Sequence, residues 1–192
     1  MDSSIYFRFY DLSIREQEII YALLTKIFYV IEEKLSFDDM ESQLPNFLSI
    51  TDYSTTFIEI IFPVKFDNYL FQTISIESWN SIKNIIKEIK HRRGKKPVIS
   101  IFRFKGITNQ RDFDIIFSLM NSSTHSFEIA IEKIEYLVDI ISIQLCSLPP
   151  NTLEVIYFYD ESSSKWLPHQ AKSIENNFVN TYIFKNGLWE RQ

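Results

Sequence analysis

The spacing of apolar side chains changes period several times along the chain, and each change predicts an element. Residues 5–10, Ile-Tyr-Phe-Arg-Phe-Tyr, read as a short strand. Behind them, Ile19, Ile20, Leu23, Leu24, Ile27, Phe28, Ile31 and Leu35 repeat at three- and four-residue intervals, which predicts one buried face of a helix over about 14–35. Ser13 stands three residues before Glu16, the spacing of a capping box that satisfies free amides at a helix start. The acidic, polar stretch Asp38–Gln43 and then Pro45 are expected to end that helix.

A period of two follows. Ile58, Ile60, Phe62 and Val64 share one face of a strand over 56–64, residues 65–69 read as a turn, and 70–76 reads as the returning strand. A helix is predicted from about Trp79 to Arg92, with Ile82, Ile85, Ile86 and Ile89 as its buried stripe and Gly94 as its stop. The order then recurs. Val98–Lys105 reads as a strand, 106–111 as a turn, and 112–119 as a strand presenting Phe113, Ile115, Phe117 and Leu119. A third helix is expected from about Phe127 to Cys146, apolar over much of its circumference and so the most central of the three. Segments 56–92 and 98–146 thus suggest a strand–strand–helix repeat, although they share little residue identity and the order is common among α+β domains.

Pro149-Pro150 breaks the chain, Leu153–Tyr159 reads as a strand, and residues 160–164 read as an exposed loop. In the tail, Thr181–Phe184 and Leu188–Arg191 bracket Asn186-Gly187, a hairpin signal because both residues tolerate positive φ. The expected fold is α+β: a mainly antiparallel sheet with three main helices packed largely on one face. No linker divides the chain, so 1–192 is expected to be one globular domain. Its weakest joint is 36–55, and an N-terminal helical subregion, 1–50, would pack on 51–192.

Composition supports a packed domain. The 192 residues are 45% hydrophobic and 16% aromatic, and each buried aromatic removes about 150–250 Å² from water. The most apolar long stretch, 127–148, carries Glu128, Glu132, Lys133, Glu135 and Asp139, so no span is expected and membrane association is not predicted. The amino terminus lacks the basic-then-apolar pattern of a signal peptide, and a cytoplasmic location follows by default. A single cysteine, Cys146, excludes an intrachain disulfide and is expected to be a small buried hydrophobe. The three glycines, Gly94, Gly106 and Gly187, are scattered, which disfavours the glycine-rich loops that cradle phosphates.

Charge is distributed unevenly. Between Trp79 and Gly106 lie Lys83, Lys87, Lys90, Arg92, Arg93, Lys95, Lys96, Arg103 and Lys105, opposed only by Glu88. The segment carries +8 and the remainder −13, within a net charge of −5. Lys90, Arg92 and Arg93 suit a helix C-terminus, whose exposed carbonyls favour cations. Capping does not call for the others, so Lys87, Lys90, Arg92, Arg93, Lys95, Lys96, Arg103 and Lys105 form a candidate patch for phosphate or an acidic protein surface. The bland alternative is a solvated helix end, or neutralisation by the protein's own carboxylates.

Other candidates are weaker. His91, His125 and His169 share no helical or hairpin spacing, so no metal site is predicted. His91 reads as another helix-end charge and His125 as part of a capping region among serines. His169, Asp160 and Ser163 hold the residue types of a hydrolytic trio without a supporting spacing. Glu128, Glu132 and Glu135 read as the solvent-facing stripe of an apolar helix, and Trp166 and Trp189 as core or hairpin packing. The sequence therefore predicts a non-catalytic, cofactor-free interaction protein that binds another macromolecule, foremost a protein, through charged surface. A nucleic-acid-binding protein using 83–105 is the alternative, and an enzyme with an unrecognised pocket is the second.

Overall fold

The computed structural model describes residues 4–44, 54–106, 113–120 and 123–192. Its first strand, β1 (Ser4–Tyr10), buries Ile5, Phe7 and Phe9 on one face. The Ser13–Glu16 capping box then starts α1 (Ile14–Leu24): Ser13 Oγ accepts from the Glu16 amide, and Glu16 accepts from the Ser13 amide at 2.9 Å. The chain returns as β2 (Tyr29–Lys34), parallel to β1. After α2 (Phe37–Gln43) come β3 (Thr56–Phe62), the single turn α3 (Leu70–Thr73), the long α4 (Ile76–Arg93) and β4 (Val98–Lys105), again parallel to β3. A third parallel pair, β5 (Asp114–Leu119) and β6 (Thr152–Asp160), is joined through α5 (Thr124–Lys133) and α6 (Ile141–Gln144). Strands β7 (Lys165–Glu175), β8 (Phe178–Lys185) and β9 (Leu188–Arg191) finish the sheet as an antiparallel meander.

The described strands form one sheet in the order β2-β1-β3-β4-β5-β6-β7-β8-β9. Its main core lies between one sheet face and α1, α4 and α5, where Phe62 stacks on Phe104 at 4.8 Å and Trp79 meets Phe102 edge-on at 5.6 Å. A smaller cluster sits on the opposite face, where Leu35, Met40 and Leu44 cover Phe57, Ile99 and Ile101. Strands β3 and β4 are thus buried on both faces, which accounts for their nearly unbroken apolar runs.

Several expectations are corrected. The sheet is mixed rather than mainly antiparallel, and helices lie on both faces, because α2 covers the side opposite α1, α4 and α5. The helix expected over 14–35 stops at Leu24. Tyr29, Val30 and Ile31 favour extended backbone, and β1 offers a free edge that satisfies their amides and carbonyls. The apolar period had continued through this change of element. The stretch Asp38–Gln43, expected to end a helix, forms its own, opened by Ser36 and Asp39 in a second capping box.

Residues 70–76 form no strand. Leu70 and Ile74 are buried four residues apart across one helical turn, and Ser75 accepts from the Ser78 amide to open α4. The expected helix 127–146 is broken after Lys133 by a 3-10 turn over Glu135–Leu137. Such a turn also repeats at three residues, so Ile134, Leu137 and Ile141 stay buried on an irregular path. Packed against both α1 and α5, α4 is the central helix instead. Cys146 is exposed. The repeat is not strand–strand–helix: β1–β2, β3–β4 and β5–β6 are each strand–helix–strand units. The turn expected over 106–111 falls almost wholly outside the described residues, as does Pro45.

The hand of these crossovers is constrained by the pairing. Units β3–β4 and β5–β6 step the same way along the sheet, point in opposite directions, and keep their helices on one face. They therefore have opposite hands. Unit β1–β2 reverses both step and direction relative to β3–β4 and shares its hand. A twisted sheet favours right-handed crossovers. The third unit, whose helix is broken, therefore takes the hand opposite to the other two.

Candidate functional site

The basic segment does not gather on one surface. Lys83, 1% exposed, reaches from α4 to Glu132 at 2.7 Å and Glu135 at 2.5 Å, and Lys87 reaches Glu132 at 2.5 Å. Burial lowers the Lys83 pKa, but the two carboxylates outweigh it and hold the ammonium above its ordinary value. Lys90 is buried, 5.9 Å from the centre of the Phe127 ring, and burial depresses its pKa. Arg92 pairs with Glu88 and lies 3.7 Å from Glu16. Arg93 grips Glu16, the Thr56 hydroxyl and the Asp11 carbonyl. Lys95 and Lys96 are exposed on the turn after α4, without an ion pair among the described residues. Lys105 is exposed at the other end of β4, and Arg103 lies on the sheet face opposite α4.

Arg103 belongs to a second arrangement that the sequence reading did not foresee. Charged residues on that face run across seven strands, alternating in sign except where Asp114 and Glu154 stand side by side. Glu33 accepts from Arg8 Nε at 2.7 Å, and Arg8 Nη1 donates to Glu59 at 3.3 Å. Glu59, 1% exposed, also accepts from Arg103 Nε at 3.3 Å. Arg103 Nη1 reaches Asp114 at 3.2 Å and Glu154 at 3.3 Å, and Lys172 closes the ladder on Glu154 at 2.8 Å. Burial works against the Arg103 charge, but Glu59, Glu154 and Asp114 more than offset it, so its pKa is raised. The signal was present in outline: Arg8, Glu59 and Arg103 each stand alone in apolar strands, on the side away from the core.

Beside the ladder is a cavity of about 200 Å³ between α2 and strands β4–β7. Ile101, Ile116 and Ile156 form its apolar floor, and Ser42 and Leu44 the wall from α2. Arg103, Glu154 and Lys172 line it from the ladder, and Ser118 and Gln170 complete it. Ser118 and Gln170 are buried, and the Ser118 hydroxyl has no hydrogen-bond partner among the described residues.

The remaining candidates fall into structural roles. Ser163 Oγ donates to Asp160 at 2.5 Å and closes the 160–164 loop. His169 sits at a β-bulge against Phe158, ring centres 4.8 Å apart, while Asp160 stands opposite Lys165 in the β6–β7 register. Burial lowers the His169 pKa. Ser123 caps α5 just before His125, and His91 is exposed in the last turn of α4. Trp166 donates to the Ala130 carbonyl at 2.9 Å, and Trp189 packs on Phe184 at 5.1 Å. Among the described residues, no group of three or more His, Cys, Asp or Glu is arranged to hold a metal ion, and no helix is long and apolar enough to cross a membrane. Comparison with protein-family models, curated proteins and solved structures finds no match.

Proposed function

We propose that the protein is a non-catalytic interaction protein that binds another protein through the charged, open face of its sheet. The observation that carries this reading is the uneven cover of the sheet. One face lies under α1, α4 and α5, whereas α2 is the one described helix on the other. Beyond α2, that face presents the ladder end at Lys172 and then Ile174, Val179 and Leu188, the last two 60% and 70% exposed. Exposed apolar side chains set among charges, here at both ends of β8, match the mixed composition of a protein contact.

A second reading, a local contact with nucleic acid, is favoured by the exposed cations Lys95 and Lys96 beside Arg92 at the end of α4. One experiment separates the two. The wild type, V179D/L188D and K95E/K96E are used as bait in native lysate, with and without nuclease. The expected result is a protein captured regardless of nuclease and lost only with V179D/L188D. Nuclease-sensitive capture lost with K95E/K96E would favour the second reading, and capture indifferent to both variants would overturn both.

A further inference from the structure

We propose that the cavity between α2 and strands β4–β7 is a binding site for a small neutral ring compound bearing an amide or lactam group. It borders the protein-binding face proposed above, with Lys172 at the edge of both, but does not rest on that reading. Three observations about its walls carry the inference.

First, the site holds hydrogen-bonding groups that the protein leaves unused. Ser118 is 1% exposed, and its hydroxyl has no partner among the described residues. A buried hydroxyl without a partner is costly, and native structures rarely leave one unsatisfied. Gln170 is 4% exposed, and its amide makes no side-chain hydrogen bond among the described residues. Arg103 spends Nε and Nη1 on its three carboxylates, which leaves the two Nη2 hydrogens uncommitted among the described residues.

Second, the charges argue for a neutral occupant. Arg8, Arg103 and Lys172 pair with Glu33, Glu59, Asp114 and Glu154, so the ladder already carries one more carboxylate than cations. An anion would add to that excess, and a cation would meet the two cationic groups that line the cavity. A neutral carbonyl can accept from Arg103 Nη2 while an adjacent N–H donates to Ser118 Oγ or to the Gln170 carbonyl.

Third, the floor is apolar and sheet-like. Ile101, Ile116 and Ile156 come from three neighbouring strands on one face, a surface suited to the face of a planar ring. The volume of about 200 Å³ exceeds the ~150 Å³ that holds benzene in an engineered cavity, leaving room for a ring with one polar substituent. Lys172, with a side chain 40% exposed, and the exposed Ser42 mark the mouth.

The test uses benzamide as the probe, with benzoate and toluene as its charged and apolar counterparts, on the purified full chain. Saturation-transfer NMR is expected to detect benzamide, with benzoate and toluene each bound at least about tenfold more weakly. Ser118→Leu, which fills the cavity, is expected to abolish the signal. Gln170→Leu, which removes the amide but little volume, is expected to weaken binding several-fold, with an amide spectrum that reports the fold intact. The proposal is overturned if benzamide gives no transfer, as for a cavity that holds water only. Equal binding of benzoate or toluene, or binding unchanged in both variants, also overturns it.

Discussion

Arg93, in the last turn of α4, donates from both terminal nitrogens to Glu16, in the first turn of α1, at 3.2 and 2.9 Å. One carboxylate thereby closes the α1 capping box and joins the start of the first long helix to the end of the central one, across 77 positions of sequence. Glu16 is 2% exposed, so removing it strands a partly buried guanidinium. Glu16→Ala is expected to lower stability by about 3 kcal/mol, measured by urea unfolding.

The same contact sets an acid dependence. Burial raises the Glu16 pKa, but the hydrogen bonds from the Ser13 amide, Arg93 and the Ser13 hydroxyl outweigh it, so the folded value lies below the ordinary one. A carboxyl of that kind contributes stability in full above its unfolded pKa of roughly 4.3. The contribution fades as pH falls through the folded value. Unfolding free energy measured from pH 6 to pH 3 is expected to fall less steeply in Glu16→Gln than in the wild type. Parallel curves would refute this assignment.

Lys83 supplies the opposite sign. Its folded pKa is raised by Glu132 and Glu135 against the pull of burial. Its stabilisation is therefore present below the unfolded value of about 10.4 and lost as pH climbs through the folded one. Removing both carboxylates leaves a buried ammonium unpaired. The E132A/E135A variant is expected to lose about 3 kcal/mol at neutral pH, seen as a lower melting temperature. The alkaline limb of its stability profile should flatten as well.

Lys90 is the counter-case. It is 4% exposed and without an ion pair among the described residues, its ammonium at the outer reach of the Phe127 ring. Burial lowers its pKa, so the charged form is penalised at neutral pH. Stability gains as pH rises through the folded value towards the unfolded one. Lys90→Met keeps the buried stem and removes the charge. It is expected to raise stability by about 1 kcal/mol at pH 7 and to remove that rise in alkali. A loss of stability on chemical unfolding would show that the ring contact outweighs desolvation.

Gly187 governs the last hairpin. Asn186 and Gly187 have φ of 50° and 85°, the pairing a two-residue turn between twisted strands demands. Gly187→Val is expected to cost about 1–2 kcal/mol, confined to β8 and β9. Hydrogen exchange should report faster opening of Trp189 and its neighbours while β3 and β4 keep their protection.

What could be read from sequence followed from how local each cause is. Strand β4 was legible to the residue and β3 nearly so, because both are buried on two faces and bounded by breakers. The Ser13–Glu16 cap and the Asn186-Gly187 turn were legible because each is complete within a few residues. Strand β2 was not. Only Val30 of it is buried, so its pairing with β1, rather than its own pattern, makes it extended. Strand β7 was missed for a related reason: Pro168, His169 and Gln170 interrupt its alternation. Its closing turn, Asn176-Asn177, has φ of 51° and 65° and repeats the logic of the final hairpin. The charge excess between Trp79 and Gly106 was visible, but its division between α4, the turn after it and the far sheet face was not. That division depends on strand register. The ladder was hidden likewise, since its members come from seven strands and the first and last, Arg8 and Lys172, are 164 positions apart.

The opposed hands of the second and third crossovers limit how this architecture can be enlarged. A tandem duplicate of 56–105 spliced in after itself would enter the sheet with its strands reversed. Keeping the hand of its template, it would deliver its helix to the side occupied by α2. The copy would turn its own phenylalanines to the face that elsewhere carries Glu59, Arg103 and Glu154, so its core could not join the one under α4 and α5. Duplicating this unit would thus split the hydrophobic interior between two sides of the sheet rather than lengthen it.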